Sequence, residues 1–77
     1  MAYFKGRVLA EVIVKLLREE WASGNRNWVT DYRLKRLAQS KYGVVSREDS
    51  FRRAALDLFK GGRIRKFLGK SMYKCNG

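Results

Sequence analysis

Arg47, Ser50, Arg53 and Asp57 follow one another at spacings of three and four, which on a helix sets them along one side. A guanidinium fork meets two acceptors of a planar partner at once, and a hydroxyl can donate or accept. Such a row suits the edges of bases: Arg pairs bidentately with guanine, and Ser serves bases or phosphates. A second set lies further on, at Lys60, Arg63, Arg65, Lys66, Lys70 and Lys74, with no acidic residue after Asp57. Cations at that density suit phosphate oxygens, which position a partner without reading its sequence. Arg33, Lys35, Arg36 and Lys41 form a third basic set that adds backbone contacts.

Other chemistries lack their residues. Histidine and proline are absent, and Cys75 is the single cysteine. The commonest general base and metal ligand is therefore missing. One cysteine makes neither an internal disulfide nor a zinc cluster. With no histidine to activate it, Cys75 reads as a small β residue, not a nucleophile. Asp49 and Asp57 read as cap and ion-pair residues rather than as an acid–base pair or a metal site. Gly61-Gly62 follows a helix and precedes a strand, the reverse of a phosphate-binding loop, so it reads as a turn. The chain is expected to be no enzyme and to hold no cofactor and no metal. No apolar run, that at 12–14 included, is long enough to span a membrane. Residues 1–6 lack a signal-peptide pattern. The expectation is no membrane partner and a reducing location, cytoplasmic or nucleoid-associated.

The charge is one-sided. The 77 residues hold 18 Lys plus Arg against 7 Asp plus Glu, a net +11. Up to Gly24 the four basic residues Lys5, Arg7, Lys15 and Arg18 are nearly matched by Glu11, Glu19 and Glu20. Almost all the excess follows. Any one of these cations, taken alone, reads as a solvated side chain. Together they make a self-repelling field that a polyanion would relieve. The chain is 45% apolar and 13% aromatic, too rich for a disordered basic tail. One small domain, 1–77, with a thin core is expected.

The elements that would position these groups follow from periodicity and punctuation. Residues 7–22 read as an amphipathic helix with Val8, Leu9, Val12, Ile13, Leu16, Leu17 and Trp21 at helical spacing. Its near-neutral charge makes it scaffold, turned away from any partner, and Ser23-Gly24-Asn25 ends it. The connector 26–29 has room for a brief strand. Thr30 is a good N-cap for a second helix over 31–42, with Val29 and Leu34 as a hydrophobic staple and Gly43 as the stop. Ser46 reads as the N-cap of a third helix over about 47–60, with Asp49 as its capping-box partner. Its own N-terminal amides are a further place for a phosphate. Phe51, Ala54, Ala55 and Leu58 make its buried stripe. Residues 63–67 and 71–75 read as a β-hairpin around Leu68-Gly69-Lys70, with Lys66 on the same face as Ile64. Phe51, Phe59, Tyr42 and Trp21 are expected in the core. Trp28 and Phe67 have three readings: core-edge packing, which ranks first, contact with a partner, or a wedge at a base step.

Three helices followed by a hairpin is the order of a winged helix-turn-helix, an α+β fold. The run Ser50-Phe51-Arg52-Arg53-Ala54-Ala55-Leu56-Asp57-Leu58, then Gly62-Arg63-Ile64, resembles the recognition helix and first wing strand of winged-helix families. It is also similar to the winged-helix small-subunit ribosomal protein shared by archaea and eukaryotes, where a Ser-x-x-Arg-Ala-Ala-Leu run precedes a Gly-x-Ile turn. The likeness covers residues 50–75. The helix-to-glycine spacing is slightly shorter here, and the lysine-rich N-terminal stretch of that family has no counterpart. The resemblance implies that Ala54 and Ala55 are small so that the third helix packs closely.

The sequence-level expectation is a non-enzymatic nucleic-acid-binding protein, with double-stranded DNA ahead of RNA, acting as a transcription regulator or as a chromatin or replication accessory factor. The alternative is a structural subunit of a larger nucleoprotein assembly, ribosomal or polymerase-associated, with a protein partner as well. An archaeal or viral origin would suit the absence of proline and the Arg/Lys-rich surface.

Overall fold

A computed structural model of the chain describes residues 3–76. The elements run α1 (Gly6–Ala22), β1 (Val29–Thr30), α2 (Asp31–Tyr42), α3 (Glu48–Lys60), β2 (Ile64–Lys66) and β3 (Met72–Cys75). This is an α+β arrangement of three helices and a small antiparallel sheet with strand order β1-β3-β2. The readings of the whole span 1–77 and of the segment 1–6 extend to residues 1, 2 and 77, outside those described.

α1 carries the centre of the core through Leu9, Ile13, Val14, Leu16 and Leu17. Two expectations fail on it. Val8 is 54% exposed, and Trp21 is half-buried beneath the Arg26 guanidinium, 4.0 Å from the ring centroid, rather than in the core. The reason is that α2, α3 and β3 all pack on α1. The covered arc therefore sweeps from one flank to include Val14 and leaves the opposite flank, with Val8, open. The helix ends at Ser23-Gly24-Asn25, with Gly24 N–H donating to Trp21 O at 3.1 Å and Asn25 N–H to Glu20 O at 3.0 Å.

α2 begins and ends at its expected signals. Thr30 Oγ1 accepts from Arg33 N–H at 3.2 Å, and the Val29 and Leu34 side chains on either side of that cap are both in the core. Gly43, at φ 64°, donates to Gln39 O at 3.0 Å, a left-handed stop that side chains with a Cβ resist.

α3 starts one residue later than its sequence signal. Its N-cap is Arg47, not Ser46, and no side chain caps the helix. Arg47 O accepts the first helical bond, from Phe51 N–H at 2.9 Å. The Ser46 hydroxyl therefore sits a residue too early to serve the first amides. Glu48 and Asp49 occupy the first turn instead and oppose the partial positive charge there. Asp49 Oδ1 accepts from Ser50 N–H at 2.9 Å. Phe51, Ala54, Ala55 and Leu58 are buried as expected. At the other end Gly62 N–H donates to Phe59 O at 3.0 Å and Arg63 N–H to Leu58 O at 2.9 Å, a Schellman ending with Gly62 at φ 76°.

A hairpin forms, but with shorter strands and one residue out of the register that pairing 63–67 with 71–75 implies. Ile64 stands opposite Cys75, Arg65 opposite Lys74 and Lys66 opposite Tyr73, because Phe67 N–H bonds Met72 O and the loop takes in Ser71 as well as Leu68-Gly69-Lys70. It is not alone. β1 adds a third strand on the other side of β3, with Val29 opposite Tyr73 and Thr30 opposite Met72. A two-stranded hairpin is marginal by itself. The third strand and the buried Val29, Ile64 and Tyr73 on the inner face anchor it to the core.

Candidate functional site

The acidic residues decide which cations are free. All four glutamates are engaged. Glu20, its side chain 10% exposed, holds Arg33 Nε at 2.6 Å. Glu48 binds Lys35 Nζ and, at 3.4 Å, Arg52 Nε. Glu19 accepts from Tyr42 Oη and lies 3.6 Å from Lys41 Nζ. Glu11 takes Arg63 through Nη1 at 2.8 Å and Nη2 at 3.4 Å. Each of these carboxyls is held below its ordinary pKa, with the hydrogen bond from Arg33, Lys35, Tyr42 or Arg63 respectively as the largest cause.

The α2 set is thus largely spent inside the molecule. Arg33, Lys35 and Lys41 each face a carboxylate, and Arg36 lies over the Tyr32 ring at 5.7 Å. Arg63 is tied to α1. Among the described residues, Arg47, Arg53, Lys60, Arg65, Lys66, Lys70 and Lys74 have no carboxylate partner. α3 itself is charge-balanced, with Arg52, Arg53 and Lys60 against Glu48, Asp49 and Asp57.

The cations that turn the exposed side of α3 positive come from elsewhere. A groove beside it is lined by Lys5 and Arg7 together with Ser50, Arg53 and Asp57. The neighbouring hollow adds Tyr3 and Arg47, with the Arg47 guanidinium 5.2 Å from the Tyr3 ring centroid. Phe4 N–H donates to Val45 O at 2.8 Å and pins this arm to the α2–α3 link. Sequence reasoning missed Lys5, Arg7 and Tyr3, because a charge tally over the whole first helix reads as neutral. The signal was there: Lys5 and Arg7 both precede the first acidic residue, Glu11. The first helix is therefore not wholly turned away; its N-terminal end borders α3.

The hairpin makes the second patch. Trp28, one residue before β1, stands beside Lys74 and reaches across the outer face of the sheet. Lys74 Nζ is 4.9 Å and Arg65 Cζ 5.7 Å from its ring centroid. Phe67 meets it edge-on at 5.4 Å and 88°. Trp28 and Phe67 thus pack on each other outside the core, among cations. Such contacts are worth about 0.5–1 kcal/mol each at exposed sites. At the tip, Lys70 N–H closes a turn onto Phe67 O at 3.1 Å.

Among the described residues no group of three or more His, Cys, Asp or Glu could hold a metal ion. No helix there is long and apolar enough to cross a membrane. Compared with protein-family models, with curated proteins and with solved structures, the chain finds no match in any of the three.

Proposed function

We propose that this chain is a winged helix-turn-helix module that binds double-stranded DNA without catalysing a reaction. The observation that carries the reading is the unmatched charge of the hairpin. Arg65, Lys66, Lys70 and Lys74 crowd two short strands and their turn, and the four glutamates are engaged elsewhere. The element order and the strand order β1-β3-β2 support the fold half of the reading. In it α3 enters the major groove with Arg47, Ser50 and Arg53 toward the bases, while the hairpin follows the backbone. Lys5 and Arg7 flank α3 as additional phosphate contacts. A charge-balanced α3 beside a strongly basic hairpin favours holding the backbone over reading a sequence, which fits a chromatin or replication accessory factor better than a regulator. The sequence contains no histidine, which agrees with a binding role.

The test is fluorescence anisotropy of a labelled duplex across a salt series. About five phosphate contacts give a slope of log affinity against log salt of about −4.5. A protein that shows no salt-dependent duplex binding would falsify the reading.

A second reading is a subunit of a larger nucleoprotein assembly. It is favoured by Tyr32, 65% exposed, and Val8, 54% exposed, which offer apolar surface on helices. Co-purification with a defined complex, combined with loss of duplex binding by the isolated chain, would select it.

A further inference from the structure

Leu68 is 81% exposed, the most exposed of the large apolar side chains among the described residues. Nothing in the local backbone demands a leucine there. It is the second residue of a turn whose third, Gly69, has φ 77°. That is the pattern of a type II turn, which needs Gly at the third position and favours proline at the second. An aliphatic side chain at the tip of the molecule is unfavourable in water, and the turn gains nothing from it.

Its surroundings are rigid and cationic. Phe67, 40% exposed, is braced edge-on by Trp28, so the tip is tied to the β1 side of the sheet rather than swinging as a free hairpin. Lys66 and Lys70 flank Phe67-Leu68 along the chain. Trp28, Arg65, Lys66, Phe67 and Leu68 line one hollow, and Arg65 and Lys74 lie against the Trp28 ring. An apolar point between lysines fits a partner whose apolar interior lies between two rows of anions. Duplex DNA has that form: stacked bases between phosphate strands. Leucine and phenylalanine are among the side chains that wedge between base steps from the minor groove and kink the duplex by about 20–90°. An anionic membrane shares the charge but asks for more apolar area. One myristoyl chain alone anchors only marginally, and Leu68 with part of Phe67 is smaller than that.

We propose that the hairpin tip is a wedge: Leu68, backed by Phe67 and Trp28, enters the minor groove at a base step while Lys66 and Lys70 hold the flanking phosphates. This rests on the DNA-binding reading above and adds to it that the protein bends its DNA.

The experiment uses the full chain and a duplex of about 20–30 base pairs, with a dye at each end and 2-aminopurine at successive internal positions. Wild type should bring the ends closer, by a bend of about 20–90°, and brighten 2-aminopurine. Leu68→Ser, at an exposed turn position, should keep the wild-type melting curve and the salt slope of binding, and lose both the bend and the brightening. Wild type that binds but leaves the duplex straight and dark overturns the wedge and leaves the binding reading intact. Absence of any duplex binding overturns both. A Leu68→Ser variant that bends as well as wild type removes Leu68 from the role. Binding to phosphatidylserine–phosphatidylcholine vesicles that depends on Leu68, with the duplex left straight, would assign the tip to a lipid surface instead.

Discussion

The Glu20 carboxylate accepts Arg33 Nε at 2.6 Å and Asn25 Nδ2 at 3.3 Å, joining the end of α1 to the start of α2. Glu20 is the one charged residue buried in the described chain, and its partners answer the cost of burying it. The same pairing takes Arg33 out of the set available to a ligand.

Glu20→Gln should destabilise the fold by about 1 kcal/mol, below the usual value for a charged hydrogen bond because Arg33 remains mostly in water. The pH dependence has a definite sign. Arg33 above all, then Asn25, hold the Glu20 carboxyl below its ordinary pKa against the opposing effect of burial. The stabilisation is therefore full above the unfolded pKa of about 4.3 and is lost as pH falls through the lower folded value. Thermal melts of wild type and variant should differ at pH 7 and converge in acid. A difference that persists unchanged below pH ~3 would rule out the ion pair as its source.

Two serine and threonine substitutions should behave oppositely. Thr30→Ala removes the acceptor for Arg33 N–H and should cost about 1 kcal/mol, a fall in melting temperature of about 4–8 °C for a domain of this size. Ser46→Ala removes no cap and should leave the urea midpoint almost unchanged. Equal losses at the two positions would show that α3 begins at Ser46 after all.

On the binding reading, the free and the paired cations should separate in a salt series. Arg7→Gln and Lys5→Gln should each reduce the slope by about 0.9, one phosphate contact apiece. Lys41→Gln should change it less, since Lys41 faces Glu19. The charge tally of the sequence alone ranks these the other way round. Equal effects would mean that the ion pairs open on binding.

Charge reversal at Arg65, Lys66 and Lys70 should weaken binding to every duplex alike. Arg53→Ala should instead shift the preference between G-containing and A/T-only sites, measured by competition. A uniform loss from Arg53→Ala would leave it a phosphate contact and take the base-reading role from α3.

The elements were legible because their causes are local. A buried stripe at Phe51, Ala54, Ala55 and Leu58 follows from helical period alone. Thr30 and Gly43 act on amides and carbonyls within four residues of themselves, and the presence of the hairpin follows from a turn of a few residues, although its register is one residue from the expected one. Ser46 misled because a capping signal one residue early looks the same in sequence as one in place. The third strand was only half legible, since β1 is two residues long and becomes a strand through a partner far along the chain.

The distribution of usable charge needed the tertiary structure. The 18 basic residues are countable, but each decisive pairing joins groups distant in sequence. Arg33 to Glu20 and Lys35 to Glu48 are 13 residues apart, and Arg63 to Glu11 is 52. Only the packing of the helices on one another, α2 and the end of α3 on α1 and α2 on the start of α3, brings those carboxylates to those cations. It also brings Lys5 and Arg7 beside α3 and sets Trp28 against Phe67. By itself the sequence determined that positive charge would be in excess and which helices and strands would carry it. The fold decided where the charge is cancelled and where it remains, because Coulomb interactions depend on distance in space and a charge count contains none.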